Sequence, residues 1–173
     1  DLAVLGRGPW VVVGNLPYAV GTPILQKLLL WDAWTRATLM FQKEVALRIA
    51  SATGCADYGL LTLSVRNHAD AEVVLELSPE SFRPRPNVDS AVVVLRRLAK
   101  PRVPPQDERA FWRLAKIAFG QRRKMAASVL AKTLGRPRPE VEAAFKSAGI
   151  AVDARPQTIP FSAWAALAGT LRS

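Results

Sequence analysis

The run Trp10-Val11-Val12-Val13-Gly14-Asn15-Leu16-Pro17-Tyr18 constrains the chain more than any other stretch. Val11 to Val13 form a continuous β-branched run of strand length, the pattern of a strand covered on both faces, as in the parallel sheet of an α/β domain. The run stops at an amide, a proline that fixes φ, and an aromatic ring. Sheets of this class take ligands at the carboxyl ends of their strands, which places Asn15 to Tyr18 where a ligand would bind. A purely structural Asn-Pro turn is the competing reading of the same residues.

Those four residues suit one chemistry in particular, that of an aromatic amine. The exocyclic amine of adenine is a poor nucleophile because its lone pair is delocalised into the ring. If the Asn15 side-chain oxygen and a backbone carbonyl of Leu16 or Pro17 each accept an amine hydrogen, the lone pair is aimed at an incoming electrophile. Tyr18 would stack on the base, and about 1–3 kcal/mol of stacking offsets much of the cost of extruding it.

The following residues alternate between strand and helix. Thr22-Pro23 reads as an N-cap and first helical position, with Ile24, Leu25, Leu28 and Leu29 on one face. Ala37 to Phe41 is a second short apolar run, and Lys43 to Ala52 recurs with helical period, so the α/β pattern continues. Gln42-Lys43-Glu44 ends the second strand at the same edge as Asn15, where Lys43 is either a substrate contact or part of a solvated first turn. Residues 59–67 fit either period. Ala71 to Leu77 and Ala91 to Leu95 are strand-like and predict an antiparallel pair, separated by a loop braced by prolines at 79, 84 and 86. Phe82 in that loop either presents a second ring to a base on Tyr18 or plugs the core beneath it. Asp89-Ser90 reads as a strand-entry turn rather than a catalytic pair.

Three prolines between Lys100 and Pro105 mark a linker, and the chain beyond is helical. Asp107 is placed as the cap of a helix with Phe111, Leu114, Ala115, Ala118 and Phe119 inward. Gln121 to Leu134 predicts a second helix, Pro139 to Ala148 a third closed by Gly149, and Ser162 opens a fourth with Trp164, Leu167, Ala168 and Leu171 inward. The formal charge of +10 is uneven, since residues 1–99 hold ten basic and nine acidic side chains and residues 100–173 hold fourteen and five. This basic half points to a polyanion, and no run reaches membrane-spanning length. Arg122-Arg123-Lys124 at the start of a helix would oppose its dipole, which suggests an anionic partner against the alternative of a solvated charge run. Single Cys and His residues, Cys55 and His68, exclude a disulfide framework and argue against a metal site or a Ser-His-Asp triad. The cysteine usage fits a reducing cytoplasm.

Taken in order, Asn15-Leu16-Pro17-Tyr18, Phe41-Gln42-Lys43-Glu44-Val45-Ala46 with Arg48, Tyr58-Gly59, Ser81-Phe82 with Pro84 and Pro86, Val88-Asp89-Ser90-Ala91, and Phe119 with Gln121-Arg122-Arg123-Lys124 carry a resemblance. The chain resembles the ribosomal RNA adenine dimethyltransferases over nearly its whole length, and the Gln-Arg-Arg-Lys block favours the small-subunit type over the antibiotic-resistance type. The resemblance implies a helix at 59–67. It also implies methyl transfer from S-adenosylmethionine to the exocyclic amines of two adjacent adenosines near the 3′ end of small-subunit ribosomal RNA, in an assembling small subunit. Asn15 with the Leu16 and Pro17 carbonyls would orient the amine, and Asn15 would also line the cofactor's methyl end. Tyr18 and Phe82 would hold the base, Lys43 would meet the RNA, and Arg122, Arg123 and Lys124 would grip phosphates.

One departure stands out. The acidic, glycine-rich cofactor loop of such enzymes is missing, and only six residues precede Arg7. The expectation is therefore an α/β fold with a partial Rossmann-like methyltransferase sheet over residues 1–99, a proline-rich linker at 100–106, and a basic helical RNA-binding domain at 107–173. It follows that Val11 to Val13 lacks a neighbouring strand on one side. A non-catalytic RNA-binding or ribosome-assembly module is the alternative function, and an enzyme acting on large-subunit RNA a third.

Overall fold

The computed structural model describes Val4, Gly6 and residues 8–172; Asp1 and Arg7 lie outside these. The chain divides into two compact units, residues 1–51 with 64–101 and residues 52–63 with 102–173.

The first unit is a four-stranded sheet. Its strands are β1 (Trp10–Asn15), β2 (Trp34–Gln42), β3 (Ala69–Leu77) and β4 (Ser90–Arg97), and its helices are α1 (Gly21–Leu30) and α2 (Lys43–Ala50). A third helix, α3 (Leu60–His68), precedes β3 and resolves the ambiguous stretch as helical. Sheet order is β1-β2-β4-β3, with β1 parallel to β2 and β4 antiparallel to both β2 and β3. The parallel pair and the antiparallel pair both match the apolar patterns that predicted them.

β1 meets one expectation and departs from the other. It has a neighbour on one side only, as expected, but it is not covered on both faces, with Val11 64% and Val13 79% exposed. Two apolar runs lie between neighbours: Ala91 to Leu95 of β4, four of whose five residues are buried, and Ala37 to Phe41 of β2, with three of five buried. A continuous apolar run specifies a strand, but its place in the sheet depends on which partners it finds.

Side chains tie α1 to the sheet. Trp34 donates its indole N–H to the Leu28 carbonyl at 2.7 Å, and Arg97 donates to the Leu29 carbonyl at 3.0 Å while lying over the Trp34 ring. Burial pushes the Arg97 guanidinium below its usual pKa.

The second unit contains α4 (Pro105–Phe119), α5 (Ala126–Leu134), α6 (Arg138–Ser147) and α7 (Phe161–Thr170). Their inward faces, including Phe111, Leu114, Leu130, Phe145, Trp164 and Leu167, close one core together with Tyr58, whose hydroxyl donates to the Ile159 carbonyl.

Helix starts depart from the predicted ones. Proline occupies or adjoins the first turn of α4, α6 and α7, because its fixed φ suits that position and it needs no hydrogen-bond acceptor. Asp107 consequently lies inside α4, not at its cap, and its buried carboxylate pairs with Arg172. Thr22-Pro23 also falls inside α1, which begins at Gly21 after Val20. The largest change is at α5. Residues 121–124 form a turn closed by Lys124 N–H to the Gln121 carbonyl at 2.8 Å, and the helix begins only at Ala126. Arg122, Arg123 and Lys124 therefore do not form a helical first turn and do not oppose the α5 dipole from within it.

Replacing Trp34 with Phe removes a buried hydrogen bond and part of a fully enclosed ring. An expected loss of about 1–2 kcal/mol, read by denaturant unfolding, follows; unchanged stability would show that α1 is held without this contact.

Candidate active site

Strand register gathers the predicted residues at one sheet edge. Asn15 is opposite Met40 near the end of β2, Gln42 is opposite Ser90 at the start of β4, and Ser90 is opposite Leu77 at the end of β3. The Asn15 turn, Lys43 and the loop carrying Phe82 thus all leave the sheet on the same side.

Within the turn, Asn15 is exposed and its amide makes no hydrogen bond to the described residues. The Pro17 carbonyl accepts the Val20 N–H at 3.0 Å, closing the turn into α1, whereas the Leu16 carbonyl has no partner among the described residues. Of the two carbonyls left open by sequence, Leu16 is thus the freer acceptor. Gly21 leaves room for this entry, since a β-carbon there would come within 3.2 Å of the Phe41 ring.

Tyr18 is half-buried, and its hydroxyl lies 2.6 Å from the Ser90 hydroxyl across 72 residues of sequence. Ser90 is fully buried, so this bond satisfies a hydroxyl that has left water and restrains the outer end of the tyrosine side chain. Reading Asp89-Ser90 as a strand entry was correct, because Ser90 opens β4, but it missed this contact. The available signal was a serine at the start of a run whose other members are apolar.

Phe82 follows a single 3₁₀ turn, Pro79–Ser81, and is half-buried. An Arg85–Glu80 ion pair at 2.6 Å braces its loop. Lys43 donates its backbone N–H to the Asp89 carbonyl at 2.9 Å, and its ammonium pairs with Glu76 at 2.6 Å. Hydrogen bonding and charge from Glu76 hold the Lys43 ammonium above its usual pKa. Lys43 therefore stands at the site edge already partnered.

In the second unit, the basic triplet separates into two kinds of residue. Arg122 is half-buried and donates to the Cys55 and Ala56 carbonyls, binding residues 52–63 to the helices. Arg123 and Lys124 are exposed and have no ion-pair partner among the described residues. No group of three or more His, Cys, Asp or Glu side chains gathers among the described residues, and no helix among them is long and apolar enough to cross a membrane.

The described residues thus place an unbonded amide, an unbonded carbonyl and a tethered aromatic ring at one edge of the sheet of an α/β unit, in a chain that also carries a basic helical unit. The chain belongs to the ribosomal RNA adenine dimethylase family, whose profile matches residues 7–171. It is 41% identical to a ribosomal RNA small subunit methyltransferase A of Cereibacter sphaeroides, over 99% of this chain and 61% of that protein. A protein of the same name from Geobacillus thermodenitrificans is 40% identical over 93% of this chain and 56% of the relative. The chain thus spans about three-fifths of the length of these curated relatives. Among solved structures, a 23S rRNA methyltransferase, ErmE, superimposes with a TM-score of 0.73 at 26% identity, covering 96% of this chain and 66% of that one. A dimethyladenosine transferase from Plasmodium falciparum shares the fold with a TM-score of 0.76 at 23% identity, over 91% and 64% of the two chains.

The Tyr18–Ser90 contact makes a quantitative prediction. Ser90→Ala and Tyr18→Phe each strand one hydroxyl, so the double variant is expected to lose less stability than the sum of the singles, by about 0.5–1.5 kcal/mol in a denaturant-unfolding cycle. Strict additivity would show that the two hydroxyls do not depend on each other.

Proposed function

We propose that the protein transfers methyl groups from S-adenosylmethionine to the exocyclic amines of adenosines in ribosomal RNA. The observation that carries this reading is the pair of unengaged acceptors, Asn15 Oδ1 and the Leu16 carbonyl, beside a tethered Tyr18 ring at the sheet edge. Both acceptors can each take one amine hydrogen, which aims the nitrogen lone pair without removing a proton beforehand. Tyr18 stacks on the extruded base, with Phe82 supplying a second ring from the proline-braced loop.

Asn15 also suits the methyl-bearing end of the cofactor, because its amide carries both a donor and an acceptor and neither is used among the described residues. S-adenosylmethionine, when bound, supplies an electrophilic methyl group. For each methyl accepted, one C–N bond would form as the donor's S–CH3 bond breaks, S-adenosylhomocysteine would leave, and the amine would release one proton to solvent. After the first transfer the amine keeps one hydrogen, which one of the two acceptors can hold for the second methylation.

The small-subunit target, two adjacent adenosines near the 3′ end of that RNA in an assembling subunit, is the finer part of the proposal. It is supported by the 40–41% identity to proteins named for the small subunit, against 26% to a 23S rRNA enzyme. RNA is held by the helical unit, with Arg123 and Lys124 as the phosphate contacts and Arg122 as the residue that fixes their turn.

Two predictions separate chemistry from docking. In the full-length protein, Asn15→Ala is expected to lower kcat by roughly 10²–10³ while RNA affinity changes little; near-normal turnover with collapsed binding would make Asn15 a binding residue. Replacing Arg123 and Lys124 with Ala is expected to flatten the plot of log K against log salt by up to about 0.9 per lost duplex contact, without changing base preference. An unchanged slope would return both cations to ordinary solvated surface.

A further inference from the structure

Beside the Asn15 turn lies a hollow of about 490 Å³ that the amine-orienting residues do not use. One wall is the β2–α2 junction, Gln42 to Leu47, and the other is Asn87 to Asp89, just before β4. The Lys43 N–H to Asp89 carbonyl bond joins the two walls. Gln42 is the strand partner of Ser90, and Ser90 holds the Tyr18 hydroxyl, so the hollow begins one residue from the group that tethers the stacking ring.

Its chemistry selects an occupant. Leu47 and Val88, 38% and 42% exposed, offer apolar surface from opposite walls. The Gln42 and Asn87 amides each carry a donor and an acceptor, and neither bonds within the described residues. Phosphate is disfavoured, because Asp89 stands exposed on the wall, and Lys43 is neutralised by Glu76. A flat, uncharged ring with hydrogen-bonding edges fits these surfaces. Enzymes that extrude a base commonly read the nucleotides that flank it.

We propose that this hollow binds the nucleobase adjacent to the target adenosine, with Leu47 and Val88 against its faces and Gln42 and Asn87 at its edges. The inference rests on the RNA adenine methyltransferase reading and adds a subsite that determines sequence context. It gives the Lys43 region a role different from direct RNA contact: the lysine and Glu76 frame the subsite while the neighbouring amides and apolar groups do the reading.

The test uses the full-length protein and a ribosomal RNA fragment carrying the target adenosine, with the neighbouring nucleotide either intact or abasic. Affinity by fluorescence anisotropy and methyl transfer are measured in parallel. Removing the neighbouring base is expected to weaken binding about tenfold for the wild type. In the Asn87→Ala/Val88→Ser variant, and separately in Leu47→Ala, the intact RNA is expected to bind with that same loss and the abasic RNA no more weakly still. If the variants bind intact RNA normally, or remain as sensitive to the abasic change as the wild type, the subsite is wrong even where methylation proceeds. If the abasic penalty and its loss in the variants appear while no methyl reaches adenine, the subsite stands and the proposed reaction falls.

Discussion

The pairing of β4 between β2 and β3 is the constraint on which the site depends. Because β4 runs antiparallel to both neighbours, its amino end meets the carboxyl ends of β2 and β3. A parallel crossover would have carried the chain from this edge back to the far end before β4 began, so that Ser90 would start β4 away from Asn15. Instead the Asn15 turn, the Lys43 junction and the Phe82 loop share one edge. Ser90, at the point where β4 starts, then converts that shared edge into a specific contact by bonding to Tyr18.

The same edge illustrates a division between rigid and available groups. Pro17 closes its turn with Val20, Lys43 is occupied by Glu76 and Asp89, and the Phe82 loop is braced by Arg85 and Glu80. In the Asn15 turn itself, the Asn15 amide and the Leu16 carbonyl have no partner among the described residues. In the proposed reaction, acceptors that keep their positions before substrate arrives need little reorganisation when charge shifts at the amine, which is the condition for a preorganised polar contact to accelerate a reaction. The helical unit shows the same logic: Arg122 spends its guanidinium on the Cys55 and Ala56 carbonyls, leaving Arg123 and Lys124 exposed on a fixed turn.

Much of this was legible in the residues. Val11 to Val13, the helical spacing of Leu25, Leu28 and Leu29, and the prolines of the 79–86 loop specify local structure through period and backbone restriction, so these elements formed where expected. The cover over each strand was less legible, because the apolar runs of β1 and β4 look alike until the layers packed on them are known. Helix starts at Asp107, Thr22 and Gln121 misled because capping preference is a weak local term that adjacent prolines, or the Gln121 turn, override. At the site, Asn15 and Tyr18 stood out by their chemistry. Ser90 and the structural use of Arg122 did not, since each depends on a partner 66 or more residues away.

The central claim, that this edge orients an adenine amine for methylation, is tested most directly by the identity of the product. The full-length protein would be incubated with small-subunit ribosomal RNA and isotopically labelled S-adenosylmethionine, the RNA digested, and the labelled nucleosides resolved by mass spectrometry. The expected label is on adenosine as the N6,N6-dimethyl derivative, passing through the N6-monomethyl form at early times. Label on a ribose hydroxyl, on another base or on a ring nitrogen of adenine would contradict it.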